Sequence, residues 1–166
     1  MKVLHIGCGG NRLPWWLEDV EETRLDIDSQ HNPDIVASML DLGDIGEFDV
    51  VYCSHALEHL HWHEVDMALK EFLRVLRDRG LAIIFVPDVE GVQANEEVLF
   101  DAPCGPITGL DLIYGHRELI KENPHMQHKT GFMMHTLDKK LQEAGFTNVN
   151  VKREIGMFNL YAMAVK

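Results

Sequence analysis

Residues 3–14 read VLHIGCGGNRLP. Four apolar or near-apolar positions run into three glycines within four, then into polar residues and a proline. A β-rich run that meets a glycine turn at once is the start of a unit in which a ligand approaches bare backbone. Glycine has no Cβ, and the free N–H groups of such a turn face outward. In dinucleotide-binding folds this loop reads G-x-G-x-x-G, and an acid about 20 residues on bonds a ribose hydroxyl. Gly7 and Gly9 fit that spacing, while Arg12 stands at the third glycine position. The acid is Asp26 in TRLDIDSQ, whose carboxylate is able to accept two hydrogen bonds from a ribose diol. Asp28 competes for the same role.

Outward from this stretch, short β-rich runs alternate with helical patterns: KVLHI, TRLDI, a brief DIVAS, FDVVYCS and GLAIIFVP. Such alternation predicts an α/β fold with a parallel sheet and helices on its faces. FDVVYCS and GLAIIFVP are nearly continuous in apolar residues, which places them at the sheet centre. Between them Val65, Ala68, Leu69, Phe72, Leu73 and Leu76 follow the spacing of a one-sided helix, with RDRG at 77–80 as its basic, glycine-ended stop. APCGPITG at 102–109 reads as a turn-rich connection. Leu137, Leu141 and Ala144 form a second stripe ended by Gly145, and TNVNVKRE and MFNLYAMAVK follow as two strands that pair antiparallel at the sheet edge.

At 166 residues the chain suits one domain spanning 1–166. Its longest apolar run, LAIIFV, falls far below the ~20 residues of a membrane span, and the apolar stretch after Lys2 is too short for a secretory signal. A cytoplasmic protein without membrane insertion is expected. Cys8, Cys53 and Cys104 form no CxxC pattern and are expected as free thiols. The net charge of −12 disfavours nucleic acid as a partner, because that binding depends on Lys and Arg neutralising phosphates.

Taken in order, these motifs resemble the class I S-adenosylmethionine-dependent methyltransferases, in particular small members with LEH after the fourth strand. VLHIGCGGN corresponds to the first motif, LDID to the second-strand acid, DIVASMLDL to the third strand, FDVVYCSHALEHL to the fourth and EFLRVLRDRGLAIIFVP to the helix and strand after it. The resemblance implies a Rossmann-like, seven-stranded, mostly parallel sheet with an antiparallel C-terminal pair, and S-adenosyl-L-methionine as cofactor. By position, His5, Gly7, Cys8 and Gly9 fall to the methionine part, and Asp26 with Ile27 to the ribose. Met39, Leu40, Asp41 and Leu42 then border the adenine, while Ser54 and His55 flank the sulfonium. Three positions depart from the pattern: His5 stands where the family usually has an acid, Asn11 at the usual third glycine, and Ser38 at the third-strand acid.

Methyl transfer is an in-line displacement, so positioning supplies much of the catalysis, and a base is needed only when the acceptor must lose a proton. Residues 88–135 are expected to cover the substrate. Within them His128, His116 and Tyr114 are the catalytic candidates, with His128 as base, and Arg117 and Lys129 are candidates for holding a phosphate or carboxylate of the acceptor. His59, beside Glu58, is expected to satisfy backbone groups. No metal site is expected: His61 and His63 point apart on a helix, and His128 with His135 lacks a Cys or Asp nearby. The acceptor is expected to be a small molecule or glycan-linked, with a homodimer or a partner subunit left open as a source of further cover. Two other readings stand beside this one. The departures at His5, Asn11 and Ser38 suit a noncatalytic binding module of the same fold, and the glycine spacing suits a nicotinamide-dependent oxidoreductase.

Overall fold

The computed structural model describes residues 1–17, 19–154 and 156–166. Its strands are β1 (Lys2–Ile6), β2 (Glu21–Asp26), β3 (Ile35–Val36), β4 (Phe48–Ser54), β5 (Leu76–Pro87), β6 (Val98–Ala102), β7 (Gly105–Thr108), β8 (Thr147–Glu154) and β9 (Asn159–Val165). The helices are α1 (Trp62–Val75), α2 (Gly109–Tyr114), α3 (Arg117–Glu122) and α4 (Met134–Ala144). Seven strands form one sheet in the order β3-β2-β1-β4-β5-β9-β8. The first five are parallel, and β9 runs antiparallel to both β5 and β8. Chain order reverses direction between β1 and β4, which opens a crevice at their carboxyl ends.

Alternate residues of the central strands enter two cores. Leu4, Ile6, Val51, Cys53, Ala82 and Ile84 face α1 and α4, against which Leu69, Phe72, Leu137 and Leu141 are buried. The buried Lys140 of α4 donates to Asp66 at 2.6 Å and lies 4.1 Å above the Trp62 ring, tying the two helices together. The opposite face carries Val3, Val50, Tyr52 and Ile83 under Leu17 of a single 3-10 turn, Trp15–Leu17. Both faces are covered by helical segments, but unequally, since only short stretches connect β1 to β2 and β2 to β3.

Two local expectations are corrected. Helix α1 ends at Val75, and RDRG belongs to the irregular start of β5: the pairing with β4 jumps from Phe48–Leu76 to Val50–Leu81, Arg79 takes a φ of 63°, and Arg77 pairs with Asp49 at 2.6 Å. The extra residues fit as an irregularity because β4 offers a partner on either side of them. APCGPITG is part of a hairpin, with β6 and β7 pairing antiparallel as a separate two-stranded sheet. The hairpin belongs to a segment that leaves and returns at one point, where Val89 N–H donates to Phe132 O at 3.0 Å and Arg153 pairs with Asp88. Gly145 ends α4 as expected, with a φ of 108° and its N–H donating to the carbonyls of Leu141 and Gln142. Among the described residues no helix is long and apolar enough to cross a membrane.

Candidate active site

The glycine loop is tied to β2 at every step. Gly7 and Cys8 N–H both donate to Leu25 O, at 2.9 and 3.2 Å. Gly9 N–H donates to Asp26 Oδ2 at 2.7 Å, and Arg24 Nη2 donates to Gly9 O at 2.6 Å. The glycines have different reasons. Gly7 has a φ of +64° and a Cβ there would sit 2.5 Å from the Ala56 Cβ, so it lets the loop pack on the end of β4. Gly9 has a φ of +49°, and a Cβ there would meet nothing closer than Asn11 Nδ2 at 4.0 Å, so the space above it is open. Asp26 is 8% exposed; its Oδ1 accepts from Asp28 N–H at 2.9 Å. Each oxygen keeps a further lone pair toward the crevice.

A cavity of about 320 Å³ fills that crevice, within the usual range of small-ligand sites. Gly7, Gly9, Asp26 and Ile27 form one part of its wall, and Ala37, Ser38 and Met39 another. Ser54, His55 and His59 line it from the end of β4, and Asn123, His125, Met126 and Lys129 from the 88–135 segment. Asn123 Nδ2 reaches Asp28 Oδ2 at 3.3 Å, so this segment touches the β2 loop directly.

Glu58, between the wall residues His55 and His59 in sequence, is buried. Burial alone would raise its carboxyl pKa, but His55, with smaller contributions from His59 and His128, outweighs that and holds it below the usual carboxylate range. For His55, 3.4 Å from Glu58, burial works downward, and the facing carboxylate moves it above the usual histidine value.

Residues 4–84 match the family model of a methyltransferase domain. The chain has the fold of the class I S-adenosylmethionine-dependent methyltransferases. That fold is shared with solved structures across 99% of the chain. One is a 1,6-didemethyltoxoflavin-N1-methyltransferase from Burkholderia thailandensis, at 18% identity, 70% of that chain and a TM-score of 0.66. Others are S-adenosylmethionine-dependent methyltransferases from Archaeoglobus fulgidus (16% identity, 86%, TM-score 0.67) and Mesorhizobium loti (16%, 90%, 0.68). A comparison with curated protein sequences finds no match.

Of the residues singled out in the sequence, Gly7, Gly9, Asp26, Ile27, Met39, Ser54, His55 and Lys129 reach the cavity wall. The others lie off that wall. Cys8 is buried behind the loop. Leu42 is in the core, Leu40 packs on that core, and Asp41 turns away to accept from Gly43 N–H at 3.2 Å, because the chain bends sharply after Ser38. His128 stands behind His59, with ring centres 5.2 Å apart, and not on the wall. Tyr114 is 55% exposed at the end of α2, and His116 faces the hairpin near Gly105. Arg117 is occupied by Asp111 at 3.1 Å and Glu96 at 3.2 Å outside the cavity, so Arg117→Ala is expected to leave cofactor affinity unchanged in calorimetry. Asn123 and Met126 were missed, since no motif marks them, and so was Arg24, whose anchoring of Gly9 needs the β1–β2 register.

His5 is 2% exposed and sits beneath the loop, lining a smaller cavity with Arg12, Tyr52 and Ser54. Its Nδ1–H donates to Glu22 Oε1 at 2.8 Å. Burial nevertheless lowers its pKa below the usual 6.5, outweighing Glu22; Arg24 and Asp26 also face it from β2, and the Tyr52 ring from β4. Below 6.5 the unfolded chain takes up a proton that the folded chain resists, so this position costs stability as pH falls. In urea unfolding at pH 7.5 and 5.5, His5→Gln is expected to narrow the stability gap between the two conditions. An unchanged gap would mean that His5 titrates as a free histidine.

Proposed function

We propose that the chain binds S-adenosyl-L-methionine in the larger cavity and transfers its methyl group to a small-molecule or glycan-linked acceptor under residues 88–135. The observation that carries this reading is that one cavity joins the open backbone above Gly9 and the Asp26 carboxylate to a wall contributed by the covering segment. When bound, the cofactor supplies a methyl carbon already activated by its sulfonium. Asp26 then accepts from the ribose hydroxyls, the open space above Gly9 leaves room for the amino-acid portion, and Ala37 to Met39 border the base. The remaining wall, from Asn123 to Lys129 with His55 and His59, orients the acceptor and excludes water, which suits a displacement governed by alignment.

A ligand bound only by the folded state raises stability by about 2.7 kcal/mol at a hundredfold excess over Kd. S-adenosylhomocysteine is therefore expected to raise the melting temperature of the chain, and radiolabelled S-adenosylmethionine to label an acceptor in a cell extract. If neither cofactor form binds at millimolar concentration, the reading fails; if both bind without label transfer, a noncatalytic module replaces it.

A further inference from the structure

Glu58 is 1% exposed, and neither of its carboxylate oxygens has a hydrogen bond among the described residues. His55 Nδ1 approaches Oε1 to 3.4 Å, which leaves Oε2 with no charged partner there. A sealed carboxylate with an unused oxygen suits a further cation beside His55, because a buried anion is stabilised by each close positive partner. His59 and His128 are beside it, and one ligand atom from each of the three residues lies within 4.8 Å of the other two.

The two rings are already held as metal-ligating histidines are. His59 Nδ1–H donates to Gln127 O at 3.1 Å, and His128 Nδ1–H to Leu112 O at 3.0 Å. A carbonyl only accepts, so the proton sits on Nδ1 and Nε2 keeps its lone pair. The segments carrying the ligands are stitched together: Lys129 and Thr130 N–H donate to Glu58 O at 2.8 and 3.1 Å, and Thr130 Oγ1 to Leu60 O at 2.7 Å.

We propose that Glu58, His59 and His128 bind a divalent transition metal of the zinc class, with an open coordination position facing the cavity that His59 lines. Two imidazoles and a carboxylate suit zinc, whose bonds to such ligands are about 2.0–2.2 Å long. Three protein ligands with one open position is the pattern of catalytic sites, whereas structural sites are closed by four. The open position takes a lone-pair donor, which narrows the acceptor to an alcohol, phenol, carboxylate, amine or thiol able to reach the metal. That narrowing rests on the methyl-transfer reading, and metal binding does not. The expectation of no metal is overturned on this reading because the missing ligand comes from Glu58, distant in sequence and joined to His128 only by the fold.

The test is titration of the tag-free, chelator-treated chain with Co²⁺, followed by displacement with Zn²⁺, with the S-adenosylhomocysteine melting shift measured on the same samples. One equivalent of Co²⁺ with tetrahedral visible absorption is expected. His128→Ala and Glu58→Gln should each weaken binding by at least about 100-fold, since even outer partners of ligands cost 10–100-fold, while His63→Ala leaves it intact. No binding by the wild type at millimolar Co²⁺, full binding by both His59→Ala and His128→Ala, or loss in His63→Ala would overturn the proposal. Where Glu58→Gln fails to fold, the half-buried His128 supplies the readout. A retained cofactor shift without metal binding sinks the metal site alone, and the reverse sinks the cofactor reading alone.

Discussion

Asp26→Ala is expected to abolish the melting shift given by S-adenosylhomocysteine and to weaken its binding about 30- to 1,000-fold by calorimetry. The carboxylate holds Gly9 and Asp28 N–H with one lone pair of each oxygen and presents the other to the cavity. Hydrogen bonds to a charged acceptor contribute about 1.5–3 kcal/mol each, and a loss of about 2–4 kcal/mol from the ribose contacts gives the stated range. Calorimetry on the folded variant separates this loss from any loosening of the loop. Asp26→Asn keeps the size and one acceptor oxygen and should fall between the two. Equal affinity in wild type and Asp26→Ala would assign the ribose contact elsewhere, with Asp28 as the neighbouring acid.

Gly7→Ala should destabilise the fold by about 2–5 kcal/mol. A non-glycine residue in the left-handed region costs about 1–2 kcal/mol, and overpacking adds about 1–3 kcal/mol. Here the new methyl would lie 2.5 Å from the Ala56 Cβ, and Ala56 is itself buried. Urea unfolding reads the total. The double variant Gly7→Ala/Ala56→Gly should recover the packing share and leave the backbone share, so a complete recovery would show that the φ of +64° carries no cost. Gly9→Ala is the contrast: it shares the positive φ but meets no atom closer than 4.0 Å, so its loss should be limited to the backbone share.

The central strands were legible because burial on both faces leaves a mark that local sequence cannot hide. FDVVYCS matches β4 end to end, and KVLHI matches β1. The glycine loop and Asp26 were legible for a related reason: left-handed backbone and a strand-end acid each demand particular residue types. RDRG was misread because a basic, glycine-ended run has the same composition at a helix end and at an irregular strand start. Only the pairing of β4 with β5 distinguishes them. The positions of His128 and Arg117 were not legible because residues 88–135 have no periodic pattern, and their side chains are directed by contacts with α2, Glu58 and Glu96.

By itself the sequence determined the alternation of strands and helices, the glycine turn and its acid, and thereby the methyltransferase fold. These follow from side-chain periodicity and backbone sterics, which act over a few residues. Only the tertiary structure decided which histidines face the cavity, that Arg24 locks Gly9, and that Glu58 meets His59 and His128. Those depend on strand register and on a segment folding back across the chain, where loop closure and hydrogen bonding between distant residues set the geometry.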